Sequence, residues 1–118
     1  MSSGVSVVNA RTGHVLANFC RVAIGPEETR IGLLRSPKLQ PGEGLLLAPC
    51  HAIHTVGMPF NIDVVFLDET DIVLGAVSDV GPGTQVMSPG AVSCLELPPG
   101  TIERSGTRFG DPLEVSYY

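Results

Sequence analysis

The chain of 118 residues carries 7 basic and 12 acidic side chains, a formal charge of -5, with 43% hydrophobic and 16% charged residues. That length predicts one domain, residues 1–118, able to bury a core without staples, and the composition excludes disorder. The basic residues Arg11, Arg21, Arg30, Arg35, Lys38, Arg104 and Arg108 are scattered, so no stripe exists to neutralise phosphates and nucleic acid is not expected as a partner.

Gly 14 and Pro 10 break the chain into short pieces, and with 5% aromatics and no Trp the core must be Val, Leu and Ile. That combination favours β structure. Val5–Ala10 is a β-prone run, and Asn9–Gly13 turns it into a partner strand over Val15–Ile24. Pro26 suits a first helical position, and Glu27 and Glu28 suit the positive end of a helix dipole. They predict a short helix burying Ile31 and Leu34 and stopped by Pro37. After a polar loop over Leu39–Gly44, Leu45–Ala48 is an apolar strand ended by Pro49. Two strands follow, Ala52–Met58 and Ile62–Leu67, with a bulge or corner near Gly57 and Pro59. Asp68–Asp71 turns into Ile72–Val77 as a hairpin, and the Gly- and Pro-rich Ser78–Ser93 reads as a long loop. Val92–Leu97 is a strand, Thr101 is a good N-cap for one or two helical turns ended by Gly106, and Leu113–Tyr117 is the last strand. The expected fold is mainly β, a compact sandwich or barrel-like domain with one or two short helices.

Cys20, Cys50 and Cys94 are odd in number, far apart and without a C-x-x-C. Buried reduced thiols are the expectation rather than a disulfide framework. The start at Met1 shows no basic-then-apolar leader, and no apolar run nears the roughly 20 residues that span a bilayer. A soluble, cytoplasmic chain with no membrane partner is expected.

The stretch Cys50–Asp68 concentrates the chemistry, with His51, His54, Asp63 and the most apolar strand. Cys50, His51 and His54 suggest a zinc site, but on a strand His51 points away from the other two. Cys50 and His54 would stand about 13 Å apart, four residues at ~3.3 Å each. Only a tight turn at Pro49–Ala52, or ligands folded in from Cys94 or Asp63, would rescue the site, so no metal residue is assigned. If the strand carrying His54 and Met58 pairs antiparallel with the strand opening at Ile62, Asp63 orients the His54 imidazole as for a general base. The alternative is a buried polar pair tying two strands together. No G-x-S-x-G is present; only Thr55 and Cys50 are nearby nucleophiles. Glu96, between Leu95 and Leu97, alternates outward, either solvated or bridged to Arg104 or Arg30.

Gly32-Leu33-Leu34, Pro41-Gly42-Glu43-Gly44-Leu45-Leu46-Leu47, Ile53–Asp68, Leu95-Glu96-Leu97-Pro98-Pro99-Gly100-Thr101 and Gly110-Asp111 occur in that order. The set resembles the domain of unknown function 192 family (DUF192, also uncharacterised protein family UPF0127), over about residues 5 to 115. Its most specific part is I-H-T-x-G-M-x-F-x-I-D-V-V-F-L-D. The resemblance implies a mainly β, sandwich-like fold and no established activity. Many members carry Asp-Gly in the turn after the central strand, where this chain has Thr70-Asp71. Many also begin with a secretory or lipoprotein signal.

Three functions follow from these residues. The first is a non-catalytic β domain binding a small molecule or a protein in a cleft near His54 and Asp63. Its candidate ligand-binding residues are His54, Thr55, Met58 and Asp63, with no cofactor. The second is a hydrolase-type enzyme using the His54–Asp63 pair, and the third a purely structural or assembly protein. The first is favoured because the polar residues form no known catalytic set.

Overall fold

The computed structural model describes residues 4–25 and 38–118; the helix expected from Pro26 lies outside them. The described strands are β1 (Gly4–Asn9), β2 (Val15–Ile24), β3 (Glu43–Ala48), β4 (Ala52–His54), β5 (Ile62–Leu67), β6 (Val73–Val80), β7 (Gln85–Met87), β8 (Ser93–Leu97) and β9 (Leu113–Tyr117), with one helix, α1 (Thr101–Ser105). Seven strands form a curled sheet in the order β6-β5-β8-β3-β2-β1-β9, and β4 pairs with β7 in a separate two-stranded sheet. Neighbours are antiparallel except β2 and β3, which run parallel in register from Phe19 opposite Glu43 to Ile24 opposite Ala48. Gly44 lets these two strands approach closely, since a Cβ there would lie 2.7 Å from the Cys20 Sγ.

The expected β class holds, and its turns are legible in their residues. Gly13, at φ 78°, closes the first hairpin by donating its N–H to the Asn9 carbonyl at 2.7 Å. In the β5–β6 hairpin Asp71 takes φ 63°, a left-handed position that glycine fills more easily. The Asp68 carboxylate accepts the Thr70 and Ile72 N–H groups at 2.8 and 3.0 Å and holds that turn. These backbone bonds also hold the Asp68 carboxyl below its ordinary pKa.

Alternation along the central strands builds two cores. Leu46, Val65, Leu67, Leu95 and Leu97 face the hollow of the curled sheet with Val5, Val7, Leu16, Ile102 and Leu113. Leu45, Leu47, Ile62, Val64, Phe66 and Cys94 face the other way, where Ile53 and Met58 cover them. All six residues of β5 are therefore buried, and each fully buried aliphatic or Phe side chain contributes about 2 kcal/mol.

The two ends of the sheet meet where β6 and β9 begin, through an isolated bridge between Ile72 and Pro112. Bonds from Val73 N to Asp111 O at 2.9 Å and Leu113 N to Asp71 O at 3.0 Å fasten the junction. A buried polar network backs it. The Asp111 carboxylate accepts from Asn9 Nδ2 at 2.9 Å, from Arg108 N at 3.0 Å and from the Arg11 guanidinium. Asn9 also donates to Thr107 Oγ1, which contacts Ser105 Oγ at 2.7 Å. The Arg11 and Asn9 bonds hold the Asp111 carboxyl well below the usual carboxylate range.

Three expectations about the elements change. The strand at Ala52 ends at His54, because Thr55–Met58 turns away (Met58 N to Thr55 O, 3.1 Å) with Gly57 at φ 88°. The expected loop after Ser78 holds the end of β6 and all of β7. Gly100, not Thr101, is the N-cap of α1, and no cap side chain is bonded there. The Thr101 hydroxyl instead donates to Pro98 O at 2.8 Å. Gly106 ends the helix in the left-handed region as expected.

Candidate functional site

The small β4–β7 sheet lies as a flap over the second core. Ile53 and its partner Val86 pack inward. Alternation then turns the pairs His54–Gln85 and Ala52–Met87 outward, leaving His54 and Gln85 exposed and Met87 59% exposed. Val56, 61% exposed, follows at the end of β4, and exposed His51 precedes it. The outer face of the flap is thus a mixed surface of imidazole, amide and apolar groups.

The other expected site residues occupy different places. Thr55 is fully buried; its hydroxyl donates to Gly81 O at 2.6 Å and accepts from Thr84 N at 2.8 Å. It pins the connection between β6 and β7. Met58 is a core side chain beneath the flap, 4% exposed.

Asp63 is also fully buried, and its two oxygens accept from Asp79 N at 2.8 Å and Ile102 N at 2.9 Å. It supplies the first turn of α1 with a carboxylate acceptor from 39 residues earlier in the chain.

The expected pairing of the His54 strand with β5 does not occur. β5 is already flanked by β6 and β8, so no edge remains for β4, which pairs with β7. Asp63 lies on the face of β5 shared by Val65 and Leu67, whereas the flap packs on the face of Val64 and Phe66. No hydrogen bond or ion pair joins His54 to Asp63 among the described residues.

A second polar group under the flap was misread from its neighbours. Glu96 is 1% exposed, opposite Leu45 and Val64, and its Oε1 has no hydrogen-bond partner among the described residues. It does not alternate into solvent because β8 is buried on both faces, so Leu95 and Leu97 fill one core and Glu96 enters the other. Burial raises its pKa well above the ordinary carboxylate value, and the nearby Cys50 thiol adds to the rise.

Cys94 sits two residues away on the same strand face, and half-buried Cys50 packs against the core that contains it, its thiol donating to Ala52 O at 3.3 Å. The chain reaches this corner through the cis Ala48–Pro49 peptide, and Cys50 N donates to Val92 O at 3.1 Å. Donation from Cys94 lowers the Cys50 thiol below its ordinary pKa, while the same contact and burial push Cys94 up. Thus Cys94 does fold in on Cys50, yet no three potential ligands gather in metal-binding geometry among the described residues. A Glu flanked by leucines within Ser93–Leu97 was the available sequence signal; the approach of Cys50 to Cys94 across 44 residues had none.

A small groove of about 60 Å³ lies elsewhere, between Phe19, Arg21, Leu39, Glu43 and Gly44. It has room for a few waters, well short of the ~300 Å³ at which small-molecule pockets begin. No helix among the described residues is long and apolar enough to cross a membrane.

Comparison with solved structures supports the fold. A protein from Sinorhizobium meliloti 1021, described as a candidate transcription regulator, aligns at TM-score 0.81 and 20% identity, over 98% of this chain and 94% of its own. A protein of unknown function from Novosphingobium aromaticivorans DSM 12444 aligns at TM-score 0.79 and 23% identity, over 94% and 83%. A hypothetical protein from Synechocystis aligns at 0.58 and 15% identity over 98% of this chain but 19% of its own. None of the curated proteins compared with the chain matches it. The family model DUF192 (Uncharacterized ACR, COG1430) matches residues 7–115, and the chain belongs to that family.

Proposed function

We propose that this chain is a small non-catalytic binding domain that receives its partner on the outer face of the β4–β7 flap. The observation that carries the reading is the outward set His54, Gln85 and Met87 on a two-stranded sheet whose inner face is anchored in a core, with exposed Val56 in the turn that follows. Such a surface offers a hydrogen-bonding imidazole ring beside apolar contact area, the mixture found in recognition patches. A protein or peptide suits it better than a small molecule, because the set lies exposed on the outer face of a small sheet. Thr55 and Met58 support the reading from beneath, Thr55 by bonding the β6–β7 connection and Met58 by filling the core under the flap. The hydrolase reading is weaker, since both Asp63 oxygens serve backbone amides on the far side of β5.

The test compares the wild-type chain with a His54→Ala/Met87→Glu variant that unfolds at the same temperature. Each is isolated natively from its source cells and weighed by native mass spectrometry. A stoichiometric partner retained by wild type and lost by the variant supports the flap as the recognition face. Equal retention by both, or no partner on either, removes this reading.

A further inference from the structure

We infer that Cys50 and Cys94 are a reactive dithiol that a hydroperoxide converts to an intramolecular disulfide, with Glu96 as the proton source. The geometry supplies three complementary roles in one corner. Cys50 is half-buried and reachable from solvent beside the flap, and it packs against the core that holds the fully buried Cys94. Backbone donation from Cys50 to Val92 holds it alongside β8, while the register of Leu47 opposite Cys94 fixes the other partner. Glu96 shares the strand face of Cys94, about 7 Å along the strand, and its buried Oε1 is unpartnered among the described residues.

A wholly apolar corner would be the simpler design, because a buried polar oxygen without a partner is costly to keep. A proton-donating function gives the retained acid a use. Cys20 provides an internal contrast: it is as buried as Cys94 but lies in the other core, away from both Cys50 and Cys94.

The chemistry balances without a resident cofactor. The Cys50 thiolate attacks one oxygen of the hydroperoxide, a S–O bond forms and the O–O bond breaks. The leaving alkoxide, or hydroxide from hydrogen peroxide, takes the Glu96 proton and departs as alcohol or water. Cys94 then attacks the Cys50 sulfur, forming the S–S bond and breaking the S–O bond. The departing hydroxide takes the Cys94 proton and leaves as water, and Glu96 regains its proton from solvent. The sum is two thiols and a hydroperoxide giving one disulfide, one alcohol (or water) and one water. The step is stoichiometric and stands whether or not the flap binds a partner.

The test uses the full chain, reduced, desalted and treated with an equimolar amount of hydrogen peroxide. It is then denatured and alkylated for intact-mass and peptide analysis. The expected product is lighter by two hydrogens, carries a Cys50–Cys94 link and retains an alkylated Cys20. Cys94→Ser should stop at a Cys50 sulfenic acid trapped by dimedone, and Cys50→Ser should keep both remaining thiols. Cys94→Ala serves as a second variant if the serine disturbs folding. Glu96→Gln should slow disulfide formation at least tenfold at neutral pH, the low end of general-acid effects of about 10²–10⁴ being reduced by proton donation from water. Three free thiols after excess peroxide, a link through Cys20, or sulfinic acid at Cys50 beside a free Cys94 would overturn the dithiol. An unchanged rate in Glu96→Gln would overturn the assignment of its proton.

Discussion

Two buried carboxyl groups in this molecule have opposite fates. Asp111, at the junction of β6 and β9, receives bonds from Asn9, Arg11 and the Arg108 backbone. Glu96, under the flap, has an oxygen with no partner among the described residues and two thiols nearby. The first stays ionised in a satisfied network, and the second keeps its proton above the ordinary carboxylate range. Burial alone does not set the charge of an acid; the donors the fold brings to it do. One corner is built to hold the sheet shut, and the other retains unspent hydrogen-bonding capacity.

Breaking the satisfied corner should have the largest effect. Asp111→Ala leaves Arg11, Asn9 and the Arg108 amide without their acceptor, and should destabilise the chain by about 3 kcal/mol in urea unfolding. A loss below about 1 kcal/mol would show the network to be solvated rather than structural. Asp63→Ala removes the acceptor for Asp79 N and Ile102 N together, and should cost about 2 kcal/mol. It should also speed amide exchange in α1.

Glu96 should act in the opposite sense. Its folded pKa is raised, so its contribution to stability is complete below the ordinary carboxylate pKa. Unfolding then releases a proton, and stability falls by about 1.4 kcal/mol per pH unit as pH rises toward the folded value. Glu96→Gln should flatten that slope and melt higher than wild type at neutral pH. For Asp111 the sign reverses: its depressed pKa contributes stability above the ordinary value, lost only as pH falls through the folded one. Paired melting curves over pH would separate the two, and a wild-type slope unchanged by Glu96→Gln would contradict the buried-acid account. The smallest effect is expected on the flap surface, where His54→Ala should change stability by no more than about 0.5 kcal/mol.

Much of the fold could be read from local residues because its causes are local. Gly13 and Gly106 supply left-handed turns, the run Ile62–Leu67 can only be a buried strand, and Thr70-Asp71 completes a hairpin. The candidate site was harder, for two physical reasons. Alternation assigns inside and outside only when one face of a sheet meets water; β5 and β8 meet it on neither face, so Glu96 was sent to the wrong side. The partner of a short strand is chosen by which edges remain open, and β5 had none for β4. Proximity along the chain therefore suggested a His54–Asp63 pair that the sheet itself separates. Asp63 was rightly singled out as a buried acid needing a partner, but its partners are amides at β6 and α1.

The two strands of the flap belong to segments on either side of the β5–β6 hairpin. β4 must therefore wait for the chain to run out and return before it can find β7. The loop closed by their pairing includes that whole hairpin, so its entropy is offset only once β5 and β6 have associated. The flap is expected to be a late and separately opening unit, with hydrogen exchange in Ile53 and Val86 faster than in Val65 or Leu95. A surface that opens below the global unfolding energy would expose the second core to solvent in brief excursions, leaving the closed sheet ends intact.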